Sequence, residues 1–596
     1  MVALSGSPWV IRLVFTGVSL NLMLWWFLLQ SPQADKQLPP SLAAAAAGAI
    51  PVKANTALDF NSWSSFEVIT PKNSKTWPFR KFKSSPHKPP HMVIGDNGKN
   101  KSRGYIFLTP ESSGAEKGVK QTASFIMRPN SEMVYAHEDR FDTKGIRVQS
   151  MNNAQYLTMW RGVQKNGHGF GEVVLIDSEY EKSTVKLEEI ITNYYGERFP
   201  GKLDFHEQEL TTRGTILVTA YNTTNANLSA SRGREQGFVL DSMFFEIDIE
   251  TQDILFSWSS LDHFRVEDSM LPPVTAMGNG GPRSPYDFFH LNSVQAIGHD
   301  SFLISSRHFW SVYLISRFNG KVIWELKGNS EGGSFGALPT HGRFRWQNHV
   351  RGFNATSKGM IISMFDNHNS HEESGQTPSR GLLLKLKLPP NPKERPTVLR
   401  ALQPDVARFS QNYGSYQLDL SNGNQFVSYG TGALVHEFGP GDGTDLRWEA
   451  RFGYDNVAST YRAFKNEWSA TPAVWSPALV VEKTNDKAVG FVSWNGATDI
   501  EAWNVYLIAP GVTMRPLGKA AANGFETGFD LPSGFNETNC IMVAAVKKGS
   551  EVRQSNVACL EGRKFKSAFK HKKESDKKPA LKVTDHSLQR ILGNLA

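Results

Sequence analysis

The 596-residue sequence is poor in cysteine, with only Cys540 and Cys559. So few cysteines exclude a fold held together by a disulfide framework. Both lie in one small C-terminal region, which fits a single disulfide formed in an oxidising compartment. Two buried free thiols are the alternative.

Excess charge is almost absent outside one tail. The net charge is +8, but residues 563–596 hold ten Lys or Arg against three Asp or Glu, so +7 of it belongs to that segment. The rest of the chain is close to neutral, so its charge gives no reason to expect nucleic-acid binding. We predict a disordered basic tail over residues 563–596.

Long apolar runs are also scarce, and the longest is Leu13–Leu29, preceded by Arg12. It is about long enough to cross a bilayer, so residues 1–30 are predicted to be a signal anchor, with a cleaved signal peptide as the alternative. The Pro- and Ala-rich residues 31–55 follow as a linker. Either interpretation places the chain in the secretory pathway, as a single-pass membrane protein with its bulk in the lumen or outside the cell, or as a secreted protein. N-glycosylation sequons agree with export; they lie at Asn100, Asn222, Asn227, Asn354 and Asn536.

What the chain does contain is a recurring layout of short apolar strands with polar groups at their ends. The units show no helical periodicity, and each holds about four strands, which predicts an all-β fold and a six-bladed β-propeller over residues 56–465. The innermost strands of a propeller line its channel, so matching positions should converge there. Fifteen residues separate His206 from Tyr221, His290 from Ser305, and Asn348 from Ser363.

The composition changes near residue 465. Three further apolar segments alternate with turn residues at intervals typical of a small β-sandwich; they are 488–494, 502–508 and 541–546. We predict a fibronectin-III-like accessory domain over residues 470–562, closed by the two cysteines.

Several motifs together resemble the arylsulfotransferase family, in its fungal and other eukaryotic form and in the bacterial aryl-sulfate enzymes. They are Asp204-Phe205-His206-Glu207, Phe289-His290-Leu291-Asn292, Ser305-Ser306-Arg307-His308 and Phe365-Asp366-Asn367. The resemblance covers roughly residues 145–562. It implies transfer of a sulfuryl group from an aryl sulfate to a phenol through a transiently sulfated histidine, without a nucleotide donor or other cofactor.

The resemblance also implies roles for individual residues. Arg307 offers a rigid, permanently charged fork to the sulfuryl oxygens, and Asn292 donates alongside it. His206 and His290 stabilise the sulfuryl group or the bridging oxygen, one of them as general acid to the phenolate. A metal site is the rival chemistry for converging imidazoles, but the amide at position 348 and the cationic Arg307 argue against it, so no metal is predicted.

One position departs from the family pattern. The run Gln347-Asn348-His349-Val350-Arg351 places Asn348 where the family has its nucleophilic histidine. An amide is no nucleophile, so either a bulge re-aims the adjacent His349 into the site or the protein binds an aryl sulfate without turning it over. The predicted catalytic set is His206, His290, Asn292, Arg307, Asn348 and His349.

Overall fold

A computed structural model describes residues 58–560, apart from residues 73, 114–115, 138, 188–198, 200, 274–277, 372–376, 419 and 509–513. Excluding Pro532–Gly534, the described residues belong to one compact unit. The predicted signal segment, linker and basic tail lie outside them. No helix in this part of the chain has the length and apolarity needed to cross a membrane.

The all-β prediction is confirmed. The described residues contain no α-helix; their helical segments are single 3-10 turns at Ser229–Ser231, Ser260–Asp262, Val266–Asp268, Thr340–Gly342 and Gly430–Gly432. Strands rich in β-branched and aromatic residues form everything else that is regular.

Six sheets repeat the same antiparallel four-strand plan within the described ranges. Sheet 1 comprises Asp142–Met151, Ala154–Lys165, His168–Ile176 and Lys182–Val185. Sheet 2 comprises Asp204–Leu210, Thr215–Ala226, Gly237–Asp248 and Ile254–Ser259. Sheet 3 comprises Leu291–Ile297, Ser301–Ser306, Ser311–Ser316 and Val322–Lys327. Sheet 4 comprises Asn348–Thr356, Gly359–Asp366, Arg380–Lys387 and Thr397–Leu402.

The last two sheets recruit strands from the N-terminal part of the chain. Sheet 5 comprises Ser415–Gln417, Gln425–Ser428, Leu434–Phe438 and Leu446–Arg451, with Val93–Asp96 paired to its outer edge. Sheet 6 comprises Ala463–Asn466, Tyr105–Leu108, Ser124–Met127 and Met133–His137. The strand that precedes the C-terminal sheets therefore pairs with one that lies far upstream.

The six sheets form a closed ring. The first strand of each sheet contacts the first strand of the next, and the first strand of sheet 6 contacts that of sheet 1. Each neighbouring pair of sheets also shares a buried apolar cluster, such as the one that joins Trp160 and Val173 of sheet 1 to Val218 of sheet 2. Both faces of each sheet are covered, which explains strands whose consecutive residues are all apolar.

Two more sheets lie outside the ring. One comprises Leu58–Phe60, Arg515–Ala521, Ala502–Ile508, Cys540–Lys547, Ser550–Gln554 and Ala558–Cys559. The other comprises Ser62–Ser64, Glu526–Asp530, Lys487–Ser493 and Ala478–Thr484. The strands that begin at Leu58 and Ser62 thus pair with the C-terminal sheets, although the sequence analysis grouped them with the repeats.

Two short pairings complete the strands of the described residues. Glu67–Ile69 pairs with Phe79–Lys81, and Glu111–Ser112 pairs with Ala458–Ser459. The predicted disulfide between Cys540 and Cys559 is confirmed. Asn100, Asn227, Asn354 and Asn536 are exposed, whereas Asn222 is half-buried.

Candidate active site

The two histidines at matching repeat positions come together. His206 is the third residue in the first strand of sheet 2, and His290 directly precedes the first strand of sheet 3. Both are buried, and their ring centroids lie 4.8 Å apart. His290 has a φ of 54°, a left-handed conformation that non-glycine residues rarely adopt and that is concentrated at functional sites.

Asp204 holds His206 from the same strand. Its Oδ2 accepts hydrogen bonds from the backbone N–H of His206 at 2.7 Å and from Nδ1 at 2.6 Å. Its Oδ1 accepts one from the backbone N–H of Gly169 at 2.6 Å. Only glycine permits this approach, since a Cβ at position 169 would lie 2.9 Å from the backbone nitrogen of Phe205. With Nδ1 as the donor, neutral His206 carries its lone pair on Nε2.

Asp287 orients three more imidazoles. Its Oδ2 accepts hydrogen bonds from Nδ1 of His290 at 2.5 Å and from Nε2 of His168 at 3.1 Å. Its backbone carbonyl accepts one from Nδ1 of His308 at 2.5 Å. Among the described residues, neither Nε2 of His290 nor Nε2 of His206 has a hydrogen-bond partner. Each imidazole of the pair is therefore fixed through one nitrogen and open at the other.

Aromatic rings form the walls around the pair. Phe205 stacks on His206 with a centroid separation of 4.3 Å. Tyr461 donates its hydroxyl to the carbonyl of His206 at 2.8 Å, and Tyr221 donates to the carbonyl of Leu291 at 2.8 Å. Because both hydroxyls donate to backbone carbonyls, the two tyrosines fix the walls of the site, and their rings exclude water from it.

Burial sets the charges here. It is the largest influence on the pKa of His290, which it lowers well below the ordinary value, and it also lowers the pKa of His206. It lowers the pKa of His308 to about 4. Burial alone would raise the pKa of Asp287, but its imidazole neighbours hold it well below its usual range. At neutral pH, His206 and His290 are neutral rings with a free nitrogen, suited to act as nucleophile or base.

Asn348 is locked in a chain of amides. Asn292 donates from Nδ2 to Oδ1 of Asn348 at 3.1 Å and to the carbonyl of Gln347 at 2.7 Å. Asn348 donates in turn to Oδ1 of Asn367 at 2.9 Å. We call Asn292, Asn348 and Asn367 the amide chain. Position 348 therefore links neighbouring strands, and both ends of its amide are used.

Arg307 lies beside this chain and is well anchored. Its guanidinium donates to the carbonyl of Trp346, to the carbonyl of Gln411 at 2.7 Å and to Oδ1 of Asn412 at 3.2 Å. Since a guanidinium has five N–H groups, two remain for a ligand. Burial lowers the pKa of Arg307 to about 10, so it stays charged at neutral pH.

His349 does not join the paired histidines. It has a φ of 53°, and the pairing of its strand shifts register between Asn348 and Arg351. Its Nδ1 is 3.1 Å from the carbonyl of Tyr416, and its ring packs on Phe464 at 5.3 Å. It lines a cavity of about 270 Å³ together with Arg147 and Arg351, a cavity whose lining includes none of His206, His290 and Arg307.

A buried charged layer contributes to the wall of that cavity. Glu207 binds Arg147 at 3.1 Å, Arg351 at 2.9 Å and Arg462 at 3.2 Å. Burial would raise the pKa of Glu207, but the arginines lower it to about 2. Glu209 pairs with Arg147 at 3.5 Å and with Arg351 at 3.1 Å. We call these five residues the Arg–Glu layer.

Three possible ligand atoms, one of them from Asp287, lie close enough together to raise the question of a metal site. Ligand atoms of His168, Asp287 and His290 lie within 4.8 Å of one another. Their nitrogen–oxygen separations of 3.1 and 2.5 Å are those of hydrogen bonds, with protons on the nitrogens that a metal would need. The arrangement fits a proton network better than a metal site.

Sequence reasoning missed the carboxylates and one imidazole. Asp204 lies two residues before His206 and Asp287 three residues before His290, so an Asp-x-(x)-His spacing was a usable signal in both motifs. His168 belongs to the run Gly167–Gly171, which contains no pattern that singles it out. Its role depends on contacts with a residue more than a hundred positions away.

Comparisons with known proteins place the chain in a family. The sequence model of the arylsulfotransferase (ASST) family matches residues 147–453, more than half of the 596 residues. No functionally curated protein matches the sequence.

Two solved structures show a distant likeness. The crystal structure of a protein of unknown function from Bacteroides caccae is 12% identical, covers 61% of this chain and 98% of its own, and has a TM-score of 0.33. The WD40 domain of Toxoplasma gondii coronin is 8% identical, covers 84% of this chain and 91% of its own, and has a TM-score of 0.23. Neither similarity supports a conclusion about function. The family match does, and it confirms the resemblance carried by the motifs: the chain belongs to the arylsulfotransferase family.

Proposed function

We propose that the protein transfers a sulfuryl group from an aryl sulfate to a phenol at the paired imidazoles of His206 and His290. One observation carries the proposal: the two imidazole rings meet edge to face with their centroids 4.8 Å apart, and each is held through Nδ1 by a buried carboxylate. A nucleophile or base oriented by a third group is the general design of group-transfer sites.

We further propose that the ring of six sheets is a six-bladed propeller and that the C-terminal sheets form a fibronectin-III-like sandwich. Support for the propeller comes from the closed cycle of contacts between first strands and from the shared clusters between neighbouring sheets. In such an architecture the site lies at the ends of first strands, at the channel.

In the first step, His290 is the nucleophile. Its Nε2 lone pair forms the S–N bond while the bond from sulfur to the aryl oxygen breaks, and the aryl oxide leaves with the electron pair. The left-handed backbone at His290 and the short bond to Asp287 fix the direction of attack. The two remaining N–H groups of Arg307 stabilise charge on the sulfuryl oxygens.

In the second step, His206 is the base. Its Nε2 takes the proton of the phenol acceptor as the phenol oxygen attacks sulfur and the S–N bond breaks, which restores neutral His290. His206 then gives that proton to the next departing aryl oxide. Asp204 stabilises the imidazolium that forms in between.

A second function is favoured by Asn348, which the family pattern marks as the nucleophile position. Both ends of its amide are bound within the amide chain, an arrangement that would hold a ligand pocket rigid without reacting. The alternative is a propeller that binds aryl sulfates without turnover.

Turnover separates the two functions. The purified residues 58–560 are incubated with a chromogenic aryl sulfate and a phenol, and release of coloured phenol is followed. Transfer predicts release by the wild type and loss by at least about 10³-fold in His290→Ala and His206→Ala. His349→Ala is the matched control, because this histidine lines the cavity beside the Arg–Glu layer, whose lining does not include His206 or His290. Absence of release by the wild type and by Asn348→His, with binding retained, would instead establish the binding function.

We also propose that the chain enters the secretory pathway, anchored or secreted. The disulfide and the exposure of four sequon asparagines support this. Expression of the full chain in a eukaryotic cell should give a protein whose mass falls on treatment with an endoglycosidase. An unchanged mass would contradict glycosylation.

A further inference from the structure

His168 lies within the site, although no motif identified it. Its ring is 5.6 Å from that of His290 and 6.0 Å from that of His206, and Tyr221 packs edge-on against it at 4.3 Å. The side chain is only 2% exposed. Whatever charge it carries is therefore felt strongly by its neighbours.

Both ring nitrogens of His168 face groups that can only accept hydrogen bonds. Nδ1 is 3.0 Å from the backbone carbonyl of Asn166, and Nε2 is 3.1 Å from Oδ2 of Asp287. Nδ1 of His290 donates to the same oxygen. The surrounding imidazoles hold the pKa of Asp287 well below its usual range, so its carboxylate is ionised and can only accept. With Asp287 ionised, satisfying all three contacts requires a hydrogen on each nitrogen of His168.

The other imidazoles of the site differ. Among the described residues, His206, His290 and His308 each direct one nitrogen at an acceptor and leave the other without a partner. A neutral ring satisfies that pattern. His168 therefore stands apart from the other three rings by its hydrogen-bond geometry.

We propose that His168 is a buried imidazolium that serves as a positioning residue: its charge compensates Asp287 and so keeps His290 neutral, with the lone pair on Nε2. The charge state stands by itself, whereas its use in catalysis rests on the proposed function.

The surrounding charges are consistent with this state. The ionisable groups facing the ring are Asp287, Asp204, the imidazoles of His206, His290 and His308, and Tyr221, whose pKa burial raises well above its ordinary value. Burial would lower the pKa of His168, but Asp287 and Asp204 outweigh it and raise the value. With Arg307 nearby, two carboxylates then meet two cations, whereas a neutral His168 would leave excess negative charge where an anionic aryl sulfate must bind.

The imidazolium and a metal ion are mutually exclusive. A doubly protonated ring has no lone pair to donate, so zinc bound by His168, Asp287 and His290 would require the opposite protonation state. Metal analysis of the purified protein therefore bears directly on the proposal, and a stoichiometric bound metal would overturn it.

The first measurement is nitrogen NMR of the full-length protein labelled at histidine. At pH 7.5, one buried histidine should show two protonated ring nitrogens, and its signals should vanish in His168→Gln. Glutamine keeps an N–H donor for Asp287 without the charge. If the signals of His168 instead report one bare nitrogen, the proposal is wrong, whether or not any variant folds.

The second measurement uses the pH dependence. Loss of a positive charge beside Asp287 should raise the pKa of His290 by on the order of one unit. In His168→Gln, the acid limb of the kcat/KM profile should therefore shift to higher pH. His308→Gln is the control, since it removes a buried but neutral ring that contacts the same aspartate. If folded His168→Gln has the same acid limb of kcat/KM as the wild type, the proposed imidazolium is wrong.

Failure of the proposed function is distinguishable. If no aryl sulfate is turned over, the pKa of His290 is read by NMR titration in the wild type, His168→Gln and His308→Gln. The same upward shift in His168→Gln alone supports the imidazolium without any activity. No shift in that variant contradicts it.

Discussion

Consecutive residues of the same strands belong to two contrasting environments. His206 faces the histidine site, whereas Glu207 enters the Arg–Glu layer. Asn348 joins the amide chain, whereas His349 lines the cavity beside the layer. Because alternate side chains of a strand point to opposite sides, one short segment supplies both environments.

The two environments differ in how their polar groups are partnered. In the Arg–Glu layer, Glu207 is bound by three arginines and both carboxylates are paired. Around the histidines, free nitrogens remain on His206 and His290, and Oδ1 of Asp287 has no partner within the described residues. Nε of Arg462 also has no partner within the described residues, so the contrast lies in the carboxylates and imidazoles. Paired carboxylates favour a rigid structural element, and imidazole nitrogens without partners favour a site that can react with a ligand.

The largest expected effect on stability lies in the Arg–Glu layer. Glu207→Gln removes the carboxylate and leaves buried arginines that repel one another, which should lower the free energy of unfolding by about 3–5 kcal/mol. His290→Gln should cost much less, because glutamine keeps an N–H donor for Asp287 and the free Nε2 of His290 has no partner to lose. Denaturant unfolding of both variants measures the difference.

Glu209→Gln is the matched control for that comparison. Glu209 pairs with two of the same arginines but is partly exposed, so its loss should be clearly smaller. Equal stability losses in Glu207→Gln and His290→Gln would remove the distinction between a structural and a reactive side.

Mild acid should destabilise the fold through its buried neutral histidines, which include His349 beside the Arg–Glu layer as well as three rings of the histidine site. His206, His290 and His308 have pKa values lowered in the folded state, so the unfolded chain binds protons first as the pH falls below about 6.5. Stability is therefore lost with falling pH, by up to about 1.4 kcal/mol per pH unit for each such histidine. Glu207, with a pKa of about 2, does not titrate in this range.

Unfolding free energies at pH 7.5 and pH 5.5 test this expectation. The pH dependence should become shallower in His308→Gln, which removes one of the groups that must take up a proton on unfolding. His168 acts in the opposite sense, because its raised pKa adds stability that is lost as the pH rises. Equal stability at both pH values would contradict the buried, neutral state of the three rings.

The sequence predicts part of the contrast between the histidine site and the Arg–Glu layer, but not all of it. The repeat spacing put His206 and His290 at equivalent strand starts, and strand ends are where such folds gather polar groups. The left-handed backbone at His349 and the register shift beside it are set by the neighbouring strands, not by local residue preferences. Likewise, Ala463–Asn466 pairs with Tyr105–Leu108, and no local pattern indicates a partner so distant in sequence.

The amide chain should show an intermediate effect. Asn348→Leu leaves the donor of Asn292 and the acceptor of Asn367 without that partner, which should cost roughly 1–3 kcal/mol of stability. Asn348→Asp is the informative comparison, because it keeps an acceptor for Asn292 but sets a buried carboxylate oxygen against Oδ1 of Asn367. Thermal unfolding should rank the wild type above both variants, and unchanged stability of Asn348→Leu would show that the amide chain is dispensable.

The smallest loss of stability is expected at His349. This variant tests most directly whether the histidine site and the Arg–Glu layer are separate. Its Nδ1 hydrogen bond and its packing on Phe464 are ordinary structural contacts, so His349→Gln should cost only about 1 kcal/mol. Aryl sulfate turnover should be unchanged, since the ring faces the cavity beside the Arg–Glu layer. A large loss of turnover with normal stability would mean that His349 reaches the substrate after all, and that the two environments communicate through the strand that joins Asn348 to Arg351.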